Sequence, residues 1–278
     1  MKAAVLTSRN DDYGGNLASR AIVCLNELTR VFDEVVYVDW NSPGRVSLID
    51  EIREDLSKTG RLNHVRVDSA FIDSLGLSSE IQPCCEVLAR NVGFRRTEAE
   101  WVVSTNIDVF PVSFDESMLS RDTIYVVAKR NVPELVHLTS EFLDLNPQEK
   151  REFLHQNVET FKKWGEHHET EWPLIEGPGD YQVAHRDLWH DIRGFEESLI
   201  FRLHADTNVM FKAHHAGFKR EILNVDIFHL DHKSGAEYSR KKSATRKNTW
   251  EDAVGGTGQT SNPDSWGFSD QVFFSEII

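Results

Sequence analysis

Two oxygen-bearing side chains close an apolar run: Asn106 and Asp108 in Trp101-Val-Val-Ser-Thr-Asn-Ile-Asp-Val-Phe-Pro111. An amide oxygen beside a carboxylate suits a hard divalent cation that also touches phosphate. Two apart on an extended segment, the pair is expected to project to one face. The plainer reading is a strand cap that opens a turn. Three more clusters have side chains that could join them. Thr7-Ser-Arg-Asn10 offers Arg9 for phosphate, and Asp39-Trp40-Asn41 offers a carboxylate for a base or ribose and an indole for stacking. His229-Leu-Asp-His232 offers two imidazoles. Each has a structural reading as well: Arg9 as a surface charge, Asp39 as a turn former, Trp40 as core, His229 as a strand-end histidine.

Such chemistry needs the clusters on one edge, and the hydrophobic pattern supplies elements that would do this. Lys2 to Thr7 reads as a strand, Leu17 to Leu28 as a helix, Val35 to Asp39 as a strand and Leu48 to Leu56 as a helix. His64 to Val67 reads as a third strand, and Glu86 to Arg96 as a helix feeding the Trp101 strand. This alternation predicts an α/β fold with a mainly parallel central sheet flanked by helices. Ligands of such a sheet lie at the carboxyl ends of its strands. Pro111 is expected to stop further pairing. Downstream, Thr123 to Ala128 reads as a strand and Gln148 to Trp164 as an exposed helix on an inserted segment. Glu176 to Asp180 reads as a turn, Tyr181 to Ala184 as a short strand, Asp206 to Ala216 as a helix stopped by Gly217, and Ile222 to Leu230 as a last strand. Residues 233–264 read as a mobile loop, where Arg240-Lys-Lys242 and Arg246-Lys247 could close over a diphosphate. The aromatic 266–274 segment is expected to pack back. With no repeat or linker, 1–278 reads as one domain in three parts, 1–112, 113–232 and 233–278, the last a loop and C-terminal segment.

Composition excludes several classes. The chain has 278 residues, 40% hydrophobic and 27% charged, as in ordinary soluble proteins. Its formal net charge of −14 disfavours nonspecific binding to nucleic acid or anionic membrane. No run approaches a membrane span. Three cysteines (Cys24, Cys84, Cys85) make no disulfide framework, which favours a reducing, cytoplasmic setting. The absence of Gly-x-Gly-x-x-Gly and of Gly-Lys-Ser/Thr argues against a dinucleotide fold and a P-loop.

In their order these motifs resemble a GT-A-fold glycosyltransferase of the family 2 type. Asn106-Ile-Asp108 stands where that family has Asp-x-Asp, which holds a divalent metal, here Mn²⁺ or Mg²⁺, against the donor diphosphate. Ala89-Arg90-Asn91-Val92-Gly93 is similar to the family's helix whose Arg faces the nucleotide sugar, and Thr7, Arg9, Asn10, Asp39 and Asn41 fall where the nucleoside binds. Gly194-Phe-Glu-Glu197, His204-Ala-Asp-Thr-Asn208 and Ala216-Gly-Phe218 resemble the acceptor half. The resemblance makes Asp206 the general base, with Ala205 replacing the first acid of the usual pair, Asp180 an acceptor-binding acid and His229 a third metal ligand. His232 is the alternative to His229, Asp206 has a second reading as a helix N-cap, and Trp189 and Trp172 could stack on sugar rings. What this implies is an inverting transfer of a sugar from a nucleoside-diphosphate sugar to a hydroxyl acceptor on a glycan or glycoconjugate. The rivals are a sugar nucleotidyltransferase and a non-catalytic carbohydrate-binding relic of the fold.

Overall fold

The computed structural model describes residues 1–56, 60–77, 84–127, 129–132, 140–158, 179–201, 204–232 and 262–278. β1 (Lys2–Ser8), β2 (Glu34–Trp40) and β3 (Arg61–Val67) alternate with α1 (Leu17–Val31) and α2 (Leu48–Ile52), and pair in parallel. After α3 (Ser69–Ser74) and α4 (Glu86–Phe94), β4 (Trp101–Thr105) pairs in parallel on the other side of β1. The rest comprises β5 (Val109–Pro111), β6 (Thr123–Val126), β7 (Lys129–Val132), α5 (Ser140–Asp144), α6 (Pro147–Asn157) and β8 (Tyr181–His185). Then come α7 (Arg186–Asp191), α8 (Ala205–His215), β9 (Lys219–Ile222), β10 (Ile227–Leu230) and β11 (Phe274–Ile277). The large sheet runs β11-β3-β2-β1-β4-β8-β6-β9. Its β1–β4 half is parallel as expected, whereas β8 and β11 enter antiparallel.

The central strands β1, β2 and β4 are covered on both faces, which is why they read as largely apolar runs. In β1, Ala4 and Leu6 pack with Leu17, Ala21, Cys24 and Leu28 of α1. Ala3 and Val5 pack on the opposite side with Ala89 and Val92 of α4. Gly93 permits this approach, since a Cβ there would lie 2.4 Å from Val5 Cγ1. The backbone contact fixes α4 on β1 and carries Arg90, one turn earlier, to the strand ends.

Three predicted boundaries move. Ile222–Leu230 is not one strand: β9 ends at Ile222 in the large sheet, and β10 starts at Ile227 in a second sheet, β5-β10-β7. Pro111 does not end pairing, because it faces Ile227 in the antiparallel β5–β10 ladder. As the last residue of β5 it loses little by lacking an N–H. The charged helix runs over Pro147–Asn157, opened by an Asn146–Glu149 capping box, and it is not wholly exposed. Lys150 is buried against Glu27 of α1, Nζ to Oε1 2.5 Å. The remainder of the expected helix, Trp172 and the basic loop lie outside the described residues. The C-terminal segment packs back as expected: Trp266 is buried, and Arg96 donates to the carbonyls of Gly267 and Gln271, both at 3.1 Å. Among the described residues no helix is long and apolar enough to cross a membrane.

Candidate metal centre and donor site

Asn106 and Asp108 do not share a face. The strand ends at Thr105, and the chain turns at Ile107–Asp108 before β5, with Val109 N donating to Asn106 O at 3.2 Å. That turn sends the two side chains to different neighbours. Asp108 is buried, and its Oδ2 accepts from Arg20 Nη1 at 2.5 Å. His232 Nε2 lies 3.3 Å from Oδ2 and His229 Nε2 3.8 Å from Oδ1. One ligand atom from each of Asp108, His229 and His232 falls within 4.8 Å of the others. Burial alone would raise the Asp108 pKa. The His232 hydrogen bond and the charges of His229 and Arg20 outweigh it and hold the carboxyl well below its ordinary range.

The sheet register builds this cluster. β10 sets His229 opposite Val109, next to Asp108, and opposite Asn131 on β7. Asn131 Oδ1, an acceptor, lies 3.0 Å from His229 Nδ1, so Nδ1 carries a proton and Nε2 is the ring nitrogen on the Asp108 side. His232 follows β10 and contacts Tyr13 edge-on, with ring centroids 5.4 Å apart. Gly14 lies beneath it at φ +76°, and a Cβ there would fall 2.5 Å from His232 Nδ1. Arg20 is fully buried and donates through Nη2 to the carbonyls of Tyr13 and Gly15, binding the loop after β1 to the Asp108 carboxylate. A carboxylate and two imidazoles, one held in tautomer by an amide, are a donor set that fits Mn²⁺ better than Mg²⁺, which prefers oxygen.

Asn106 belongs to a second group. Its Oδ1 accepts from Arg90 Nη2, and its Nδ2 donates to Asp180 Oδ1 at 2.9 Å. Arg90 Nη1 donates to Ser104 Oγ at 3.0 Å and to Gly179 O at 2.9 Å. Gly179 N in turn donates to Asp206 Oδ2 at 3.0 Å, and Thr207 N donates to Asp206 Oδ1 at 3.1 Å. Asp206 sits in the first turn of α8, but the N-cap is His204 in a left-handed conformation at φ 61°, so the capping role expected for Asp206 is not its own. Burial, opposed by the Thr207 and Gly179 N–H groups and assisted by Asp180, pushes its pKa up to about 6. The helix match at Arg90-Asn-Val-Gly93 divides its labour. Arg90 faces the site, whereas Asn91 fixes the backbone of Phe195, accepting from its N–H at 2.8 Å and donating to its carbonyl at 2.9 Å.

A third group forms at the adjacent ends of β1 and β2, where Ser8 pairs with Asp39. Asn10 N donates to Ser42 Oγ at 2.8 Å, and the Ser42 hydroxyl donates to Asp39. Burial raises the Asp39 pKa to about 6, against the Ser42 hydrogen bond and Arg66. Asn41 is buried with a left-handed φ of 57°, and its Nδ2 has no partner. Arg9 Nε, 3.8 Å from Asp11 Oδ2, has no hydrogen-bond partner. Thr7 donates to Val38 O at 2.7 Å, a hydrogen bond between strands. Two indoles leave the candidate list. Trp40 is fully buried in the core over α4, with no face for stacking. Trp189 is likewise buried, stacked on Phe94 at 4.4 Å with its N–H donated to Val102 O at 3.1 Å, so it offers nothing to an acceptor.

No family model matches the chain, and no curated protein matches it in sequence. Solved structures do match. GalNAc-T7 with UDP, GalNAc and Mn²⁺ superposes with a TM-score of 0.52 at 12% identity, over 84% of this chain and 44% of that one. A mannosyltransferase from Pyrobaculum calidifontis, in complex with GDP-Man and Mn²⁺, gives 0.49 at 16% identity over 87% and 60%. The catalytic domain of Drosophila β1,4-galactosyltransferase 7 in complex with xylobiose gives 0.46 at 10% over 98% and 83%. The fold is that of the GT-A-type glycosyltransferases. The chain spans 44% and 60% of the first two matched chains.

Proposed function

We propose that the chain is a glycosyltransferase that moves a sugar from a nucleoside-diphosphate sugar to a hydroxyl acceptor, with inversion and with Mn²⁺ held by Asp108, His229 and His232. The observation that carries this reading is that carboxylate–imidazole cluster, at the end of a central strand in a GT-A fold. A bound divalent ion there supplies charge neutralisation for the departing nucleoside diphosphate. The β1 and β2 ends, with Arg9, Asn10, Asp39 and Asn41, are the nucleoside site, and Arg90 and Asn106 border the sugar. Asp206 is the base. With a pKa near 6 it is mostly ionised at neutral pH yet basic enough to take the acceptor hydroxyl's proton. Asp180, beside it, is the residue proposed to orient the acceptor.

A thermal-shift screen of nucleoside diphosphates, with and without Mn²⁺, tests the donor site. A ligand at a hundred times its Kd should stabilise the fold by about 2.7 kcal/mol. Stabilisation should require Mn²⁺ and vanish in Asp108→Ala. If no nucleoside diphosphate stabilises the protein, the reading fails. Release of pyrophosphate in place of nucleoside diphosphate from a donor would identify a nucleotidyltransferase instead.

A further inference from the structure

Asn106 occupies the place of a metal-binding acid but faces away from the metal cluster. We infer that it is a positioning residue: a donor–acceptor relay that ties Arg90 to the Gly179–Asp180 turn and so holds the Asp206 carboxylate in place. This inference rests on the glycosyltransferase reading for Asp206 but makes a separate claim about Asn106.

The polarity of the relay is forced. A guanidinium has no acceptor, so Arg90 can meet only the carboxamide oxygen, and the amide N–H₂ must turn to Asp180. The Gly179–Asp180 turn is then gripped at four points. Arg90 donates to Gly179 O at 2.9 Å, Asn106 to Asp180 Oδ1 at 2.9 Å and Thr105 Oγ1 to Asp180 O at 3.0 Å. The fourth contact runs outward, from Gly179 N to Asp206 Oδ2 at 3.0 Å. The fit is tight, for a Cβ on Gly179 would come within 2.9 Å of Asp206 Cβ. An aspartate at 106 could still accept from Arg90, but it has no proton to give and would set a second carboxylate against Asp180. A neutral amide is therefore what this position requires, and the departure from an acidic motif has a physical cause.

The relay and a ligand role predict opposite results for Asn106→Asp. As a ligand, the residue would gain charge, and Mn²⁺ would bind more tightly. As a relay, it should leave Mn²⁺ affinity, titrated by electron paramagnetic resonance without substrates, within about twofold of wild type. Loss of one hydrogen bond to a charged group should lower kcat about 10- to 100-fold, a larger effect than that on donor KM. Adding Asp180→Asn restores the pair with roles exchanged, and should raise the melting temperature relative to Asn106→Asp alone. Tenfold tighter Mn²⁺ binding in Asn106→Asp, or a double variant that melts no higher than the single one, overturns the relay. If Asn106→Asp does not fold, Asn106→Ser keeps the same test: kcat should fall with Mn²⁺ affinity unchanged, and weaker Mn²⁺ binding overturns the relay. Failure of the function reading looks different: wild-type protein would bind neither Mn²⁺ nor nucleoside diphosphate, while the melting-temperature cycle would still report on the relay.

Discussion

Gly14 and Gly15 form a matched pair that isolates the contribution of His232 to the metal cluster. Both hold left-handed backbone, φ +76° and +79°. Alanine at either site pays the same conformational cost, about 1–2 kcal/mol. Their surroundings differ. At Gly15 a Cβ meets nothing within 4 Å, whereas at Gly14 it would sit 2.5 Å from His232 Nδ1, 2.9 Å from His232 Cγ and 3.0 Å from Arg20 Nη2. Ordinary contact is about 3.5–4 Å between carbons, so the imidazole must retreat by roughly 1 Å. Metal–ligand distances tolerate about 0.2 Å. Gly14→Ala should therefore remove His232 from the ligand set and weaken Mn²⁺ binding roughly 10- to 100-fold, as lost orientation of a ligand does elsewhere. Gly15→Ala should lower the melting temperature by a similar amount and leave Mn²⁺ affinity at the wild-type value. Isothermal titration with Mn²⁺ and thermal melts of both variants decide it. Equal Mn²⁺ affinity in the two variants refutes the reasoning.

Two other outcomes follow from buried charge. The Asp206 pKa rises from 3.8 to about 6 on folding, so the folded state binds that proton more tightly and the residue costs stability as pH climbs through this window. Asp206→Asn should abolish transfer, keep donor binding, and lose less melting temperature than wild type between pH 4 and pH 8; a kcat profile of wild type that lacks an acid limb near pH 6 would remove Asp206 as base. Lys150→Met should cost about 1.5–3 kcal/mol in a urea melt, because it removes the buried ammonium and leaves the Glu27 carboxylate, among the described residues, to Arg30 at 2.7 Å. A loss below about 1 kcal/mol would mean that water reaches Glu27.

The sequence was most legible where one periodicity served one layer. In the parallel half, β1, β2 and β4 were readable because they are buried and largely apolar on both faces, and α1 because its apolar residues recur with a helical period. It misled at the strand ends. Nothing in Asn106-Ile-Asp108 reveals the turn at 107–108, since a two-residue spacing means one face only while backbone stays extended. Ile222 to Leu230 looked like one strand because apolar residues recur along it at 222, 223, 225, 227, 228 and 230, and only tertiary pairing divides its two ends between sheets. Arg20 and Asn131 went unread. Arg20 did leave a trace: it lies three residues after Leu17 and four before Cys24, a charge on the buried stripe of α1. Asn131 left none, because its role comes from facing His229 across β7 and β10. Trp40 and Trp189 show that an indole near a site motif is decided by which side of the sheet it occupies.

The β5–β10 ladder has a kinetic consequence. It brings positions 109 and 229, 120 residues apart, into register, and Leu230 N closes it by donating to Asp108 O at 2.9 Å. Asp108 and His229 thus become neighbours only after a long chain closure, which is slow because its entropy is lost before any contact forms. In a refolding experiment, Mn²⁺ capture should therefore lag behind the pairing of β1 with β2, whose register joins residues only 31 apart, such as Ala3 and Glu34.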